Sequence, residues 1–265
     1  LNYNSDLDLI FLYEPYEPHE PADTAAAQLG AHEICTKLAQ RIISVLQVQT
    51  REGAMYKIDT RLRPSGRSGS LVSSLAAFAR YHQTSSQLWE RQALIKARVV
   101  AGALSKPISE LFEQIVYGTS IDAADIAEID RLRGRMETEL AQEASHRFNI
   151  KTGRGGIVDI EFLVQMLQLR YGQRFPTLRQ RATLAALEAL QACGVLPADD
   201  FQILTQGYRF LRSLENRLRI DRDQPVEALK SEGSQLPLLA RRMGYSGEDA
   251  ATQLLADYHI QREAI

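Results

Sequence analysis

The chain has 265 residues, 45% of them hydrophobic and 24% charged, with a formal net charge of -2. That balance suits a folded protein of one or two domains and excludes nucleic-acid binding through bulk positive charge. No run approaches the ~18 consecutive apolar residues of a membrane-spanning helix, and no signal peptide is evident.

The first predicted element is the stretch Leu9-Ile10-Phe11-Leu12, headed by Asp6 and Asp8. Its apolar density reads as a buried strand. Three Glu-Pro pairs between Glu14 and Pro21 then block helix and ladder bonding alike, so residues 14–23 read as a loop. A helix is predicted over 22–48, with Ile34, Leu38, Ile42 and Val45 forming one apolar stripe toward the core. "TREG" (50–53) reads as a turn and "AMYKIDTRLRP" as a second strand. Along it Tyr56, Ile58, Thr60 and Leu62 face one way, and Lys57, Asp59, Arg61 and Arg63 the other.

Beyond the flexible "SGRSGS" (65–70) every predicted element is helical. Ser73 or Ser74 caps a helix to Gln83, and Ser86 caps one over 87–101 in which Trp89 and Leu94 are core and Glu90 is exposed. Further helices are expected over 122–143, after the "TGRGG" break at 152–156, over 183–193 and over 247–262. Another is marked by Leu204, Tyr208, Leu211, Leu214 and Leu218. In the helix after "TGRGG", Asp159 supplies first-turn charge and Phe162, Leu163 and Met166 are core, with Asp159 and Glu161 taking no part in a catalytic site. The division expected is an α/β domain at 1–105 and an all-α helical bundle at 106–265, joined at "ALSKPISE" (103–110). Cys35 and Cys193 lie inside helical patterns and read as free thiols in a reducing compartment, and the five histidines show no zinc-ligand spacing.

Side chains two apart on a strand share a face, so Asp6 and Asp8 project together. Close carboxylates repel unless a cation lies between them, and a hard divalent ion such as Mg²⁺ takes oxygen ligands alone. If the second strand is a neighbour, Asp59 completes a three-carboxylate metal cluster, and Arg61 and Arg63 suit phosphate oxygens. The plainer alternatives are a solvated Asp-x-Asp pair and a surface ladder of arginines with acids.

"NSDLDLIFLY", "YKIDTRLRPSGRSGSLVSS", "WERQALIKARVVAG" and "GRGGIVDIEFLVQ" occur in that order, and the chain resembles the glutamine-synthetase adenylyltransferase (adenylyl-removing) family. The resemblance implies a fold of the DNA polymerase beta-like nucleotidyltransferase superfamily. The class is then α+β: a small mixed sheet with helices, followed by the helical bundle. It implies that Asp6, Asp8 and Asp59 are catalytic and bind Mg²⁺ or Mn²⁺. It implies that Ser5, Arg61 and Arg63 meet the nucleotide, and that Lys96 and Arg98, with Glu90 in the same block, belong to the nucleotide-binding part. The activity implied is transfer of AMP from ATP to a tyrosine of glutamine synthetase, in the cytoplasm, with PII as a further partner of the full-length enzyme. "RLRPSG" and "GGIVDIEF" look like the adenylylating, C-terminal half. The removing half, where "RLRPFG" and "REIEF" are expected, would release ADP by phosphorolysis. The family's glycine-rich segment upstream of Asp-x-Asp is expected to be missing before Leu1, as in a fragment. Rival readings are a PII-type uridylyltransferase and a non-catalytic module that docks on glutamine synthetase or PII.

Overall fold

A computed structural model describes residues 5–15, 24–51, 53–54, 56–222 and 228–265. The Glu-Pro loop lies mostly outside them. The chain is a helix-rich α+β protein with small sheets, and it divides into two compact units, Asn4–Gly118 and Thr119–Ile265. None of the described helices is long and apolar enough to cross a membrane.

In the first unit the predicted strand is interrupted, as β1 (Leu7–Asp8) and β2 (Phe11–Tyr13). The hairpin strands β3 (Gln49–Thr50) and β4 (Gly53–Ala54) precede β5 (Ile58–Asp59), and β6 (Val72–Ser74) follows. β1 pairs in parallel with β5, and β2 in parallel with β6. The apolar run 7–13 therefore bonds one neighbour along its first half and another along its second. Helix α1 (Thr24–Leu46) packs on β6 with Ala39 buried, and His32 ties it to Tyr13 Oη (3.2 Å) and Ser70 Oγ (3.0 Å). The expected core stripe is on the wrong side: Ile34, Leu38, Ile42 and Val45 are 39–71% exposed. Periodicity finds a helix but cannot choose between two apolar faces, and the small Ala39 allows the closer approach.

The second strand is shorter than its alternation predicts. After Asp59 the chain turns, with the Arg63 N–H bonded to the Thr60 carbonyl at 3.3 Å, so Arg61 and Arg63 do not lie on a strand face. Ser74 caps α2 (Leu75–Thr84) by accepting from the Ala77 N–H. Helix α3 (Leu88–Leu94) ends well before 101: the N–H groups of Ile95, Lys96 and Ala97 bond three residues back, a tightened final turn. Trp89 is 39% exposed and Glu90 is buried, the reverse of the expected helix face, while Leu94 is core as expected.

The expected junction is instead the start of α4 (Ser105–Tyr117), which packs on α2 and α3. Pro107 sits in its first turn, where a missing N–H costs no helical bond. Arg91 anchors the far end by donating to the Val116 carbonyl at 3.0 and 2.7 Å. Val72, Phe78, Leu94, Ile95, Ile108 and Val116 form this unit's buried centre.

The second unit opens with α5 (Ala123–Leu140), whose Asp122 cap accepts from Ala124 and Asp125 while Asp125 bonds back to the Asp122 N–H. Helices α6 (Ile157–Tyr171), α7 (Thr183–Ala192), α8 (Ala198–Arg222), α9 (Leu236–Arg242) and α10 (Ala250–Ala264) follow. Gly194, with φ of 71°, stops α7. The core joins Ile160, Leu187, Leu190, Leu211, Leu214, Leu254 and Tyr258. Phe162, Leu163 and Met166 are only partly buried; the deepest face of α6 is Ile157, Ile160, Val164 and Leu169. The unit is not all-α: β7 (Arg147–Asn149) pairs antiparallel with β8 (Ala228–Lys230), strands too short to show a period.

Candidate functional site

The acidic site is built by strand register. Parallel pairing sets Asp8 opposite Asp59, fixed by Leu7 N–H to Lys57 O and Leu9 N–H to Asp59 O, both 2.8 Å. Paired positions in a parallel ladder present side chains to one face, and Asp6, two residues before Asp8, belongs to that face. Asp6 and Asp8 are exposed, whereas the Asp59 side chain keeps only 13% exposure.

Arg61 lies on this acidic edge. Its backbone N–H donates to Asp59 Oδ1 at 2.8 Å and its Nε to Oδ2 at 2.6 Å, and Nη2 is ion-paired with the same carboxylate. The hydrogen bonds and charge of Asp59, then the charges of Asp8 and Asp6, raise the Arg61 pKa. In return the Arg61 side-chain bond holds the Asp59 carboxyl below its ordinary value against the opposing effect of burial, with a smaller contribution from Arg67. Asp6, Asp8, Asp59, Arg61 and Arg67 thus form one electrostatic group. The donors are all carboxylate oxygens, which suits a hard divalent cation. Both Asp59 oxygens are engaged by Arg61, and among the described residues no three His, Cys, Asp or Glu side chains stand together closely enough to hold a metal.

Arg63 turns inward. Its guanidinium donates to Thr60 O (2.8 Å), Thr60 Oγ1 (2.5 Å), Gly69 O (3.2 Å) and Arg67 O (3.3 Å), closing the loop 60–69 on itself. Ser65 and Gly66 have φ of 60° and 56°. A Cβ on Gly69 would come within 1.9 Å of the Pro64 carbonyl oxygen, so this close crossing requires glycine. Ser5 is half-buried next to Asp6. Lys96 and Arg98 are exposed, beyond the end of α3 rather than on it.

Pattern reading missed Tyr81. Its hydroxyl donates to Glu90 Oε1 at 2.9 Å, and burial raises its pKa. Nothing local in the sequence marks this bridge, because Tyr81 reads as an ordinary aromatic on an amphipathic helix.

The "GRGGIVD" block lies in the second unit and builds a separate knot. Asp159 binds the buried Arg133 through Nε (2.5 Å) and Nη2 (2.8 Å) and accepts from the Gly156 N–H (3.2 Å). Gly155, with φ of 65°, lies against the carbonyl of Arg262, whose guanidinium binds Glu143 at 3.0 and 2.6 Å.

A family model described as glutamate-ammonia ligase adenylyltransferase matches residues 1–113, and one described as GlnD PII-uridylyltransferase matches residues 126–265. A bifunctional glutamine synthetase adenylyltransferase/adenylyl-removing enzyme of Stenotrophomonas maltophilia is 36% identical over 267 residues. That alignment takes in 100% of this chain and 27% of the relative, so the chain spans about a quarter of that protein's length.

Proposed function

The chain belongs to the glutamine synthetase adenylyltransferase family, and on that premise we propose that it transfers AMP from ATP to a tyrosine hydroxyl of glutamine synthetase. One observation carries this function: the register that sets Asp8 beside Asp59 under the guanidinium of Arg61. In this proposal the first unit is a nucleotidyltransferase-type catalytic domain that extends through α4, and the second is a helical companion domain.

Asp6 and Asp8 would hold a divalent cation, Mg²⁺ or Mn²⁺, which would neutralise triphosphate charge, and Asp59 would join them once phosphate oxygens take over the Arg61 guanidinium that now engages both its oxygens. The protein's own groups orient the reactants. Arg61, Ser5, Lys96 and Arg98 meet nucleotide phosphates, with Arg67 beside Arg61, while Arg63 keeps their loop closed. The tyrosine oxygen forms a bond to the α-phosphorus as the bond from that phosphorus to the bridging oxygen breaks, and pyrophosphate leaves with the electron pair. Asp59 accepts the hydroxyl proton once the nucleotide phosphates draw Arg61 away; while paired with Arg61 its carboxylate is ionised but a weaker base. Most of the acceleration comes from alignment and charge.

The test incubates the protein with unmodified glutamine synthetase, Mg²⁺ and α-labelled ATP, beside Asp59→Asn. Label is expected on the synthetase with the wild type and at least about 10²-fold more slowly with the variant, the scale of losing one electrostatic group. Phosphate-dependent release of ADP from adenylylated synthetase, without forward labelling, would assign the removing half instead. Silence in both directions would refute transfer and favour a docking module.

A further inference from the structure

We propose that His32 is a positioning residue for the phosphate-binding loop 60–69: it fastens the exit of that loop, at Ser70, to helix α1 and so keeps Arg61 and Arg67 at the acidic edge. The proposal rests on adenylyl transfer as the function of this site. Its links are hydrogen bonds between named atoms. His32 Nε2 meets Ser70 Oγ at 3.0 Å, and Nδ1 meets Tyr13 Oη at 3.2 Å. Both hydroxyls can donate or accept, so either tautomer of the ring serves both. One side chain thereby joins α1, the end of β2 and the chain entering β6.

Seven residues separate His32 from the buried Ala39, so the two share the face that α1 turns to β6. A polar ring on such a face is costly unless its nitrogens are bonded, and here both are. The entry of the loop is held by β5, where the Leu9 N–H bonds the Asp59 carbonyl and Arg61 grips the Asp59 carboxylate. At the exit, Gly69 crosses close to Pro64, and its carbonyl accepts from Arg63 Nε at 3.2 Å. The same guanidinium reaches the carbonyls of Thr60 and Arg67. Ser70 follows Gly69 directly, so the hold of His32 passes through Gly69 and Arg63 to the backbone beside Arg61 and at Arg67. Ser65, at φ of 60°, lies in this loop, and such a conformation persists only where its surroundings over-determine it. With the tie to Ser70 cut, Gly69 shifts from Arg63, Ser65 relaxes and both arginines drift.

The test uses the difference in reach between two amides. A glutamine amide falls near the place of the histidine Nε2, and an asparagine amide near that of Nδ1. His32→Gln therefore keeps the bond to Ser70, whereas His32→Asn keeps only the one to Tyr13. These two variants and Ser70→Ala are compared by amide hydrogen exchange over residues 60–70 and by equilibrium binding of ATP and of pyrophosphate. His32→Asn and Ser70→Ala are expected to speed loop exchange and to weaken both ligands roughly threefold, the low end for one hydrogen bond because Ser70 is exposed. His32→Gln behaves as the wild type. Unchanged loop exchange in both His32→Asn and Ser70→Ala would overturn the proposal. So would faster exchange with unchanged binding, since the arginines would then not depend on the stem. A glutamine as damaging as asparagine would overturn it too, pointing to packing of the ring rather than its bond to Ser70. A wild type that binds no ATP would refute the adenylyl-transfer function instead, and loop exchange would still decide whether His32 holds the stem.

Discussion

Replacing Asp159 by Ala removes one half of a buried ion pair and should destabilise the helical unit by about 3.5–4 kcal/mol. The magnitude follows from what Arg133 would keep. Its side chain is 9% exposed and that of Asp159 26%, and two bonds, at 2.5 and 2.8 Å, are lost together. Leaving one member of a buried pair alone costs about 3–5 kcal/mol. Glu137, 3.6 Å from Nη2, and the Gly153 carbonyl at 2.9 Å remain to Arg133, which puts the loss near the lower end. The Gly156 N–H also loses its acceptor, worth about another 0.5–1 kcal/mol as a cap. Arg133→Met should cost less, about 1–2 kcal/mol, since Asp159 is near enough to the surface to find water. In the double variant Arg133→Met/Asp159→Ala the losses should not add, because no unpaired charge is left behind. Urea denaturation followed by far-UV circular dichroism measures all three. A loss under about 1 kcal/mol for Asp159→Ala, or strict additivity in the cycle, would refute the ion pair as the organiser of this knot.

Two further predictions concern packing. His82 packs against Phe78 with ring centroids 4.5 Å apart and planes tilted by 51°, both its ring nitrogens are buried without a hydrogen-bond partner, and burial lowers its pKa to about 4. Because the folded value lies below the unfolded one, stability is full above pH ~6.5, falls as the pH drops toward 4, and levels off below it. The loss should be about 1–2 kcal/mol once screening at this partly exposed ring is allowed for, and His82→Phe should flatten it in thermal melts across that range. A Cβ at Gly155 would fall 2.0 Å from the Arg262 carbonyl oxygen at a φ of 65°, so Gly155→Ala must displace the end of α10. The expected cost is about 3 kcal/mol or more, read as a lower urea midpoint with accelerated amide exchange in α10; a neutral result would contradict the close approach.

Elements with strong local signals were legible in the sequence. The helix expected from 122, the helix over 183–193 and the leucine spacing of α8 all reflect bonds or packing within a few residues. The candidate acids were legible as well, because an Asp-x-Asp pair beside an apolar run is odd on physical grounds alone. What failed depended on distant partners. Alternation suggested a strand through Arg63, yet Arg63 is claimed by carbonyls of its own loop, and the chain turns after Asp59. The stretch 103–110 was expected to join the domains, yet it opens α4, whose first turn tolerates Pro107.

By itself the sequence offered the candidates for chemistry, three aspartates and the arginines beside them, and the order of blocks that places the chain in its family. Tertiary structure decided how they are arranged. Parallel register, set by backbone bonds between segments some fifty residues apart in sequence, is what puts Asp8 beside Asp59. Burial, a property of the assembled unit, turned Glu90 from a surface charge into a partner of Tyr81. It also left the apolar stripe of α1 facing outward. Local periodicity gives each element's candidate faces, but only packing against the rest of the chain selects the one that is covered.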